Sequence, residues 1–202
     1  PINNCIKNKD TKIKPIWLMR QAGRYLPEFR EIRKSNQDFI KLCLNEKLSS
    51  EITLQPIKRF GFDAAIIFSD ILMVPYGLGQ QVTFEKNFGP KLGDLNLKQI
   101  ENTSEEIFTK KLEPIYHLIS NTSKNDLLKS RDLIGFVGAP WTILIYMINK
   151  MSPKKKLSDD FFKDDYLISN LINLIKKFLK IHIKNQIKAG AKIIQIFDSW
   201  AG

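Results

Sequence analysis

Cysteine and histidine are scarce in this sequence, two of each in 202 residues. Cys5 and Cys43 lie far apart without a Cys-x-x-Cys spacing, and no histidine stands close enough to either to complete a zinc pattern. Neither a disulfide framework nor a metal site is expected. Cys43, inside an apolar helical stretch, reads as a buried thiol, not a reactive nucleophile. Long apolar runs are missing as well: the longest, at 63–67 and 135–141, fall far short of the roughly 20 residues that span a bilayer. Segment 1–14 is polar and lysine-rich, with no apolar run that would make it a signal peptide or an anchor. No membrane span is expected, and cytoplasmic is the simplest address.

Negative charge is the other shortage. Lysine and arginine number 32 against 21 aspartates and glutamates, a formal net charge of +11. Such an excess suits nucleic acid, an acidic small molecule, or merely a solvated lysine surface. The lysines are scattered, and neither an RNP-like aromatic motif nor a zinc-finger spacing is present, so a nucleic-acid partner is not expected. Lys154, Lys155 and Lys156, after Pro153, read as a solvated loop, with attraction of an anionic substrate as the weaker alternative. The hydrophobic content of 43% excludes disorder and supplies one sizeable core.

Four segments share one grammar, a short β-branched or aromatic run that breaks into polar or small residues before a helical pattern: 14–19, 62–68, 133–137 and 192–197. Repeated βα units make either a doubly wound sheet or a barrel. Reactive side chains at the ends of all four runs favour the (β/α)8 TIM barrel, of which only about the first four βα units are present. Residues 1–202 are thus expected to be the N-terminal part of one barrel domain. Between the runs, 46–60 predicts a helix closed by Gly61. Leu167, Leu171, Ile175, Phe178, Leu179, Ile183 and Ile187 form an apolar helical stripe ended by Gly190, with His182 facing solvent or packing. Thr103 with Glu106 suggests a capping box, and Pro114 a restart of the helix that follows. Segment 74–95, rich in glycine around 81–85, predicts a hairpin excursion from the repeat.

Chemistry gathers at the run ends. Arg20 and Arg24 set two permanent charges beside Gln21, Ala22 and Gly23, a pattern suited to clamping carboxylate or phosphate, although pairing with Glu28 or Glu31 would also account for one of them. Asp70 ends an apolar run and precedes another, so its carboxylate needs donors; capping the next helix is the plain alternative. Tyr146 reads equally as a core tyrosine, and Ser199 as a turn residue.

The strings Pro15-Ile16-Trp17-Leu18-Met19-Arg20-Gln21-Ala22-Gly23-Arg24-Tyr25-Leu26-Pro27, Ile66-Ile67-Phe68-Ser69-Asp70-Ile71-Leu72, Gly135-Phe136-Val137-Gly138-Ala139-Pro140-Trp141-Thr142 and Phe197-Asp198-Ser199-Trp200-Ala201-Gly202 resemble the uroporphyrinogen decarboxylase family in order and spacing. The resemblance implies a carboxy-lyase of heme biosynthesis that converts the four acetate side chains of uroporphyrinogen III to methyls, giving coproporphyrinogen III. It further implies a (β/α)8 barrel, a homodimer at full length, and no cofactor or metal. By position, Arg20 and Arg24 match arginines that engage substrate carboxylates, one of them a candidate proton donor, and Asp70 matches the aspartate at the centre of the cleft. Tyr146 and Ser199 match substrate contacts; Gln21 and Ala22 fall in the arginine motif; Phe39, Ile66, Phe68, Leu72 and Phe136 fall where the family lines its cleft.

The sequence departs from the family in two places. The C-terminal histidine and later strands are absent, so a chain ending at Gly202 is expected to be inactive by itself. The loop after Tyr146, usually glycine-containing, reads Asn149-Lys150-Met151-Ser152-Pro153-Lys154. Related corrinoid methyltransferases share the fold but use a zinc-bound thiolate, and the Arg20–Arg24 motif argues against them. A non-catalytic tetrapyrrole-binding remnant is the alternative from outside the enzymes.

Overall fold

A computed structural model describes residues 1–9, 12, 14–19, 21, 25–85, 88–152 and 164–200. In chain order the elements are α1 (Ile2–Asn8), α2 (Pro27–Ser35), α3 (Phe39–Cys43), α4 (Glu46–Phe60), β1 (Ala64–Ile66), α5 (Met73–Gly77), β2 (Val82–Glu85), β3 (Gly89–Leu92), α6 (Leu97–Glu101), α7 (Glu105–Ser123), a 3₁₀ turn (Asp126–Leu128), β4 (Asp132–Gly138), α8 (Pro140–Asn149), α9 (Asp165–Ala189) and β5 (Ile193–Phe197). Contacts group the chain into two compact units. One comprises Pro1–Ser69, Glu113–Phe136 and Ile183–Gln195; the other comprises Asp70–Leu112, Val137–His182 and Ile196–Gly202. Among the described residues no helix is long and apolar enough to cross a membrane.

The sheet order is β1-β4-β5. β1 pairs in parallel with β4, Ala64 opposite Asp132 and Ile66 opposite Ile134. β5 runs the same way, because the Lys192 N–H donates to Leu133 O at one end and the Ala139 N–H to Phe197 O at the other. β4, reading DLIGFVG, is buried everywhere except at Phe136, which is half-buried. That near-continuous apolar run is what a strand covered on both faces requires.

Segment 14–19, expected as the first strand, is not one. The Asp63 N–H donates to Ile16 O, but the Ile16 N–H goes to the Asp63 carboxylate (2.7 Å) instead of continuing a backbone ladder. The reason lies on the outer edge of β1. Bonds from Asp132 N–H to Asp63 O and from Ile67 N–H to Ile134 O show that the odd-numbered residues face β4, so 64, 66 and 68 point outward. There the Gln21 side chain donates to Ala64 O (2.7 Å) and accepts from Ile66 N–H (3.3 Å). The Phe68 N–H goes to Thr53 Oγ1 (2.9 Å), which itself donates to Ser49 O. Side chains occupy the groups that a neighbouring strand would use, and the described residues show three parallel strands where four were expected.

The helices depart from expectation in instructive places. α4 ends as predicted, with Gly61 left-handed at φ 68°. Ser104, not Thr103, caps α7: its Oγ accepts from the Ile107 N–H, whereas the Thr103 hydroxyl turns back to Gln99 O. α7 also runs straight through Pro114. An internal proline costs about 3 kcal/mol, and here Leu112, Ile115, Leu118 and Ile119, all fully buried, offset it. On α9 the stripe is buried at Leu171, Ile175, Phe178 and Leu179, but Ile187 is 53% exposed and Gln186 is buried in its stead. Gln186 accepts the Phe136 N–H and donates to Phe136 O, both at 3.0 Å. A side chain at Gly135 would collide with this amide, which is why glycine stands there. The polar segment 1–14 contains α1, whose Asn3 N–H donates to the Asp132 carboxylate (2.9 Å).

In the second unit the expected lapse at Val74 is first a short helix, α5, and only then the antiparallel hairpin of β2 and β3, with Val82 opposite Leu92 and Glu85 opposite Gly89. The hairpin is fastened to the end of α8. The Leu92 N–H donates to Lys150 O (2.6 Å), and Gln80 Nε2 donates to Gly93 O and to Met147 O. Lys150 is left-handed at φ 59°, and its ammonium pairs with Asp94. Lysine here adopts a backbone conformation that favours glycine. In the full-length protein Lys150→Gly should therefore be more stable than Lys150→Ala by about 1 kcal/mol, the reverse of the order inside a helix. Urea denaturation decides this; alanine equal to or better than glycine would contradict the left-handed turn.

Candidate active site

In the first unit, α2, α3 and the residues just past β1 build an aromatic step. Phe39 and Phe29 both meet Phe68 edge-on, each with ring centroids 5.6 Å apart. Arg33 lies 5.5 Å from the centre of the Phe39 ring. Phe68 and Ile66 are buried and Phe39 is half-buried, so Phe39 is the one of the three that offers a surface. Phe136 is half-buried and held through its backbone by Gln186. Gln21, placed by the motif among substrate contacts, is 1% exposed, and both ends of its amide are committed to β1. What it can present to a ligand is backbone. Arg20, Ala22 and Arg24 lie outside the described residues.

In the second unit, Asp70 follows β1 and precedes α5. Its Oδ1 accepts the Leu72 N–H at 2.8 Å. Leu72, itself 1% exposed, is the N-cap of α5, and no side chain caps that helix. Asp70 therefore shapes the turn before the helix, and does so with one oxygen. Oδ2 has no partner among the described residues. Burial pushes the carboxyl up to about 6, and the bond from Leu72 offsets only part of that. The group is half-buried and, with its carboxyl raised only to about 6, mostly ionised at neutral pH.

Tyr146 is half-buried on α8, its hydroxyl at the limit of contact with Ser152 Oγ (3.5 Å). Ser199 is exposed beyond β5. The residue before it, Asp198, accepts from the buried Thr142 hydroxyl at 2.7 Å, which ties the end of β5 to the first turn of α8, the helix that carries Tyr146. Sequence reasoning passed over Thr142 and Asp198, although both lie in motifs it singled out. His182 takes the packing role: it is buried edge-on to Phe108, and burial drives its imidazole down to about 3, so it is neutral. Cys43 is buried, and neither cysteine is in a disulfide. Among the described residues no cluster of three or more His, Cys, Asp or Glu is placed to hold a metal.

Known proteins match this chain throughout. The family described as "Uroporphyrinogen decarboxylase (URO-D)" covers residues 1–202. The uroporphyrinogen decarboxylase of Rickettsia bellii is 46% identical over 203 residues, covering 100% of this chain and 59% of its own length. That of Campylobacter jejuni is 45% identical over 204 residues, covering 99% of this chain and 59% of its own. This chain therefore spans less than two thirds of the length of these relatives. Among solved structures, a methyltransferase from Methanosarcina mazei superposes with a TM-score of 0.74 at 14% identity, over 98% of this chain and 57% of that one, a likeness of fold alone. With its α/β parallel sheet and a family match running from the first residue to the last, the chain belongs to the uroporphyrinogen decarboxylase family.

Proposed function

We propose that the protein containing this chain is a uroporphyrinogen decarboxylase, which removes the carboxyl groups of the four acetate side chains of uroporphyrinogen III to give coproporphyrinogen III in heme biosynthesis. The parallel sheet belongs to a (β/α)8 barrel of which residues 1–202 form the N-terminal part, and the full-length protein is a cytoplasmic homodimer. The observation that carries the reading is Asp70, a desolvated carboxylate with one oxygen spent on Leu72 and the other uncommitted among the described residues.

A reduced tetrapyrrole turns pyrrole N–H donors inward and carboxylates outward. An ionised aspartate accepts hydrogen bonds and donates none, so Asp70 gathers the N–H groups while Arg20 and Arg24 hold carboxylates at the rim. Protonation of a pyrrole carbon makes the ring cationic. The bond from the acetate methylene to its carboxylate then breaks, its electron pair passes into the ring, and carbon dioxide leaves. The exocyclic carbon takes up a proton to become a methyl, and the ring returns the proton it gained. The residues' share is electrostatic: the Asp70 charge faces the cation in a site from which the substrate itself excludes water. Tyr146 and Ser199 contact substrate side chains, and Phe39, Ile66, Phe68, Leu72 and Phe136 supply the apolar wall, Ile66, Phe68 and Leu72 from buried positions.

Two outcomes follow for the full-length enzyme. Ionised Asp70 is the active form, so kcat/KM should fall as pH drops through about 6, and Asp70→Asn should abolish that limb while lowering kcat about 10²–10³-fold at neutral pH. Stability has the opposite sign. A carboxyl raised in the folded state contributes stability that is full below its unfolded value near 3.8 and lost as pH rises through about 6. At pH 7.5 Asp70→Asn should accordingly be more stable than wild type by about 1–2 kcal/mol, allowing for residual solvent screening. A destabilised variant with undiminished turnover per folded molecule would reduce Asp70 to its role in the turn.

For the arginines, Arg20→Ala and Arg24→Ala should each cost about 1.5–3 kcal/mol in transition-state binding. Arg24→Lys should recover only part of the loss, because a point charge cannot make the two-pronged contact. Steady-state kinetics with uroporphyrinogen III checks both; unchanged kinetics would remove these arginines from the site.

A further inference from the structure

In the second unit, the end of β5 is held to the start of α8 at two successive residues. The Ala139 N–H donates to Phe197 O at 2.8 Å, and the Thr142 hydroxyl donates to Asp198 Oδ1 at 2.7 Å. The first bond is backbone and nearly any sequence could make it; the second depends on two particular side chains. Thr142 is fully buried in the first turn of α8, whose N-cap, Ala139, has no side chain to cap it. A buried β-branched side chain has little freedom about χ1, so the hydroxyl is a fixed donor. Asp198 is exposed, and a negative charge is favoured near the N-terminal end of a helix. What the bond fixes lies on either side of it. Ser199, the residue after Asp198, is exposed. Tyr146 stands four residues after Thr142, one turn along the same face of α8, and it alone between Thr142 and Met147 is not buried. The bond thus joins the chain that carries Ser199 to the helix face that carries Tyr146.

We propose that Thr142 and Asp198 are positioning residues that set Ser199 against Tyr146 for their contacts with substrate side chains. The proposal rests on the reading of Tyr146 and Ser199 as substrate contacts, and it gives neither Thr142 nor Asp198 a contact of its own. An exposed serine on an unbraced turn must be ordered when the substrate arrives, and that ordering weakens binding. The buried threonine settles the turn beforehand. Loss of the brace should therefore raise KM more than it lowers kcat.

The test uses the full-length protein with Thr142→Val, which keeps the shape and removes the donor, and Asp198→Ala, which removes the acceptor from an exposed residue and so spares the core. Hydrogen exchange read by mass spectrometry reports the brace without requiring turnover. Amides at 197–200 should exchange at least about tenfold faster in both variants, while those of β1 and β4 keep their wild-type rates. In steady-state assays with uroporphyrinogen III, each variant should raise KM about five- to tenfold and leave kcat within about twofold. Ser199→Ala should add little in the Thr142→Val background, because the two changes disable one contact. Thr142→Ser, which restores the donor, should recover most of the loss. Wild-type exchange at 197–200 in Thr142→Val, additive losses with Ser199→Ala, or Thr142→Ser as impaired as Thr142→Val would overturn the proposal. An impaired Asp198→Ala beside a normal Thr142→Val would overturn it as well, by making Asp198 a contact in its own right. Normal Ser199→Ala beside impaired Thr142→Val removes the brace and leaves the decarboxylase reading, which Asp70 carries. A wild-type protein that fails to turn over uroporphyrinogen III overturns that reading and the proposal with it.

Discussion

The outer edge of β1 is the constraint from which the rest follows. A parallel strand with an open side carries unpaired carbonyls and amides that invite another chain or cost free energy when buried. Here the outward groups at Ala64, Ile66 and Phe68 are met by Gln21 and Thr53, and Thr53 is fixed in turn by Ser49 on the same helix. Side chains thus meet the outward groups along β1 and at Phe68, two residues past its end.

The same device recurs at β4, where Gln186 pairs with both backbone groups of Phe136 from a helix whose stripe otherwise calls for an apolar side chain. A primary amide is suited to this because it carries a donor and acceptor in the geometry of a peptide. Each use has a local consequence in the sequence: glycine at 135 makes room for Gln186, and Gln21 takes the place along β1 that segment 14–19 would need to pair there. Charge follows a different logic. Asp132 is buried but answered by the Asn3 N–H, the N-terminal ammonium and Lys192, which hold its carboxyl low, whereas burial raises that of Asp70 and only the Leu72 N–H offsets it.

Much of this was legible in the residues because it depends on local chemistry. Gly61 and the apolar pattern of 46–60 bound α4, and the β-branched runs at 133–137 and 192–197 mark β4 and β5, since helix ends and buried strands have strong sequence signatures. The glycine-rich passage signalled an excursion for the same reason. Where reading failed, a long-range partner decided. Segment 14–19 has a strand's composition but lost its place to a glutamine five residues beyond Ile16, and no periodicity records that competition. Ile187 fits the stripe but yields to Gln186, whose amide answers Phe136 fifty positions away. Pro114 and Thr103 depart from expectation because burial on both sides of the proline, and a serine one position after the threonine, outweigh the local rules. At the site, Asp70 stood out as a carboxylate among apolar neighbours, whereas Thr142 and Asp198 were invisible as a pair until the fold joined α8 to the end of β5.

The account's central claim is that the second oxygen of Asp70, uncommitted among the described residues, receives the pyrrole N–H groups of the macrocycle. It is tested most directly by a crystal structure of the full-length protein with coproporphyrinogen III, grown without oxygen so that the ligand stays reduced. The account predicts the Asp70 carboxylate within hydrogen-bond distance of the pyrrole nitrogens, about 2.7–3.2 Å, with the Leu72 contact kept. Pyrrole N–H groups turned toward another acceptor, and Asp70 engaged only by Leu72, would contradict it.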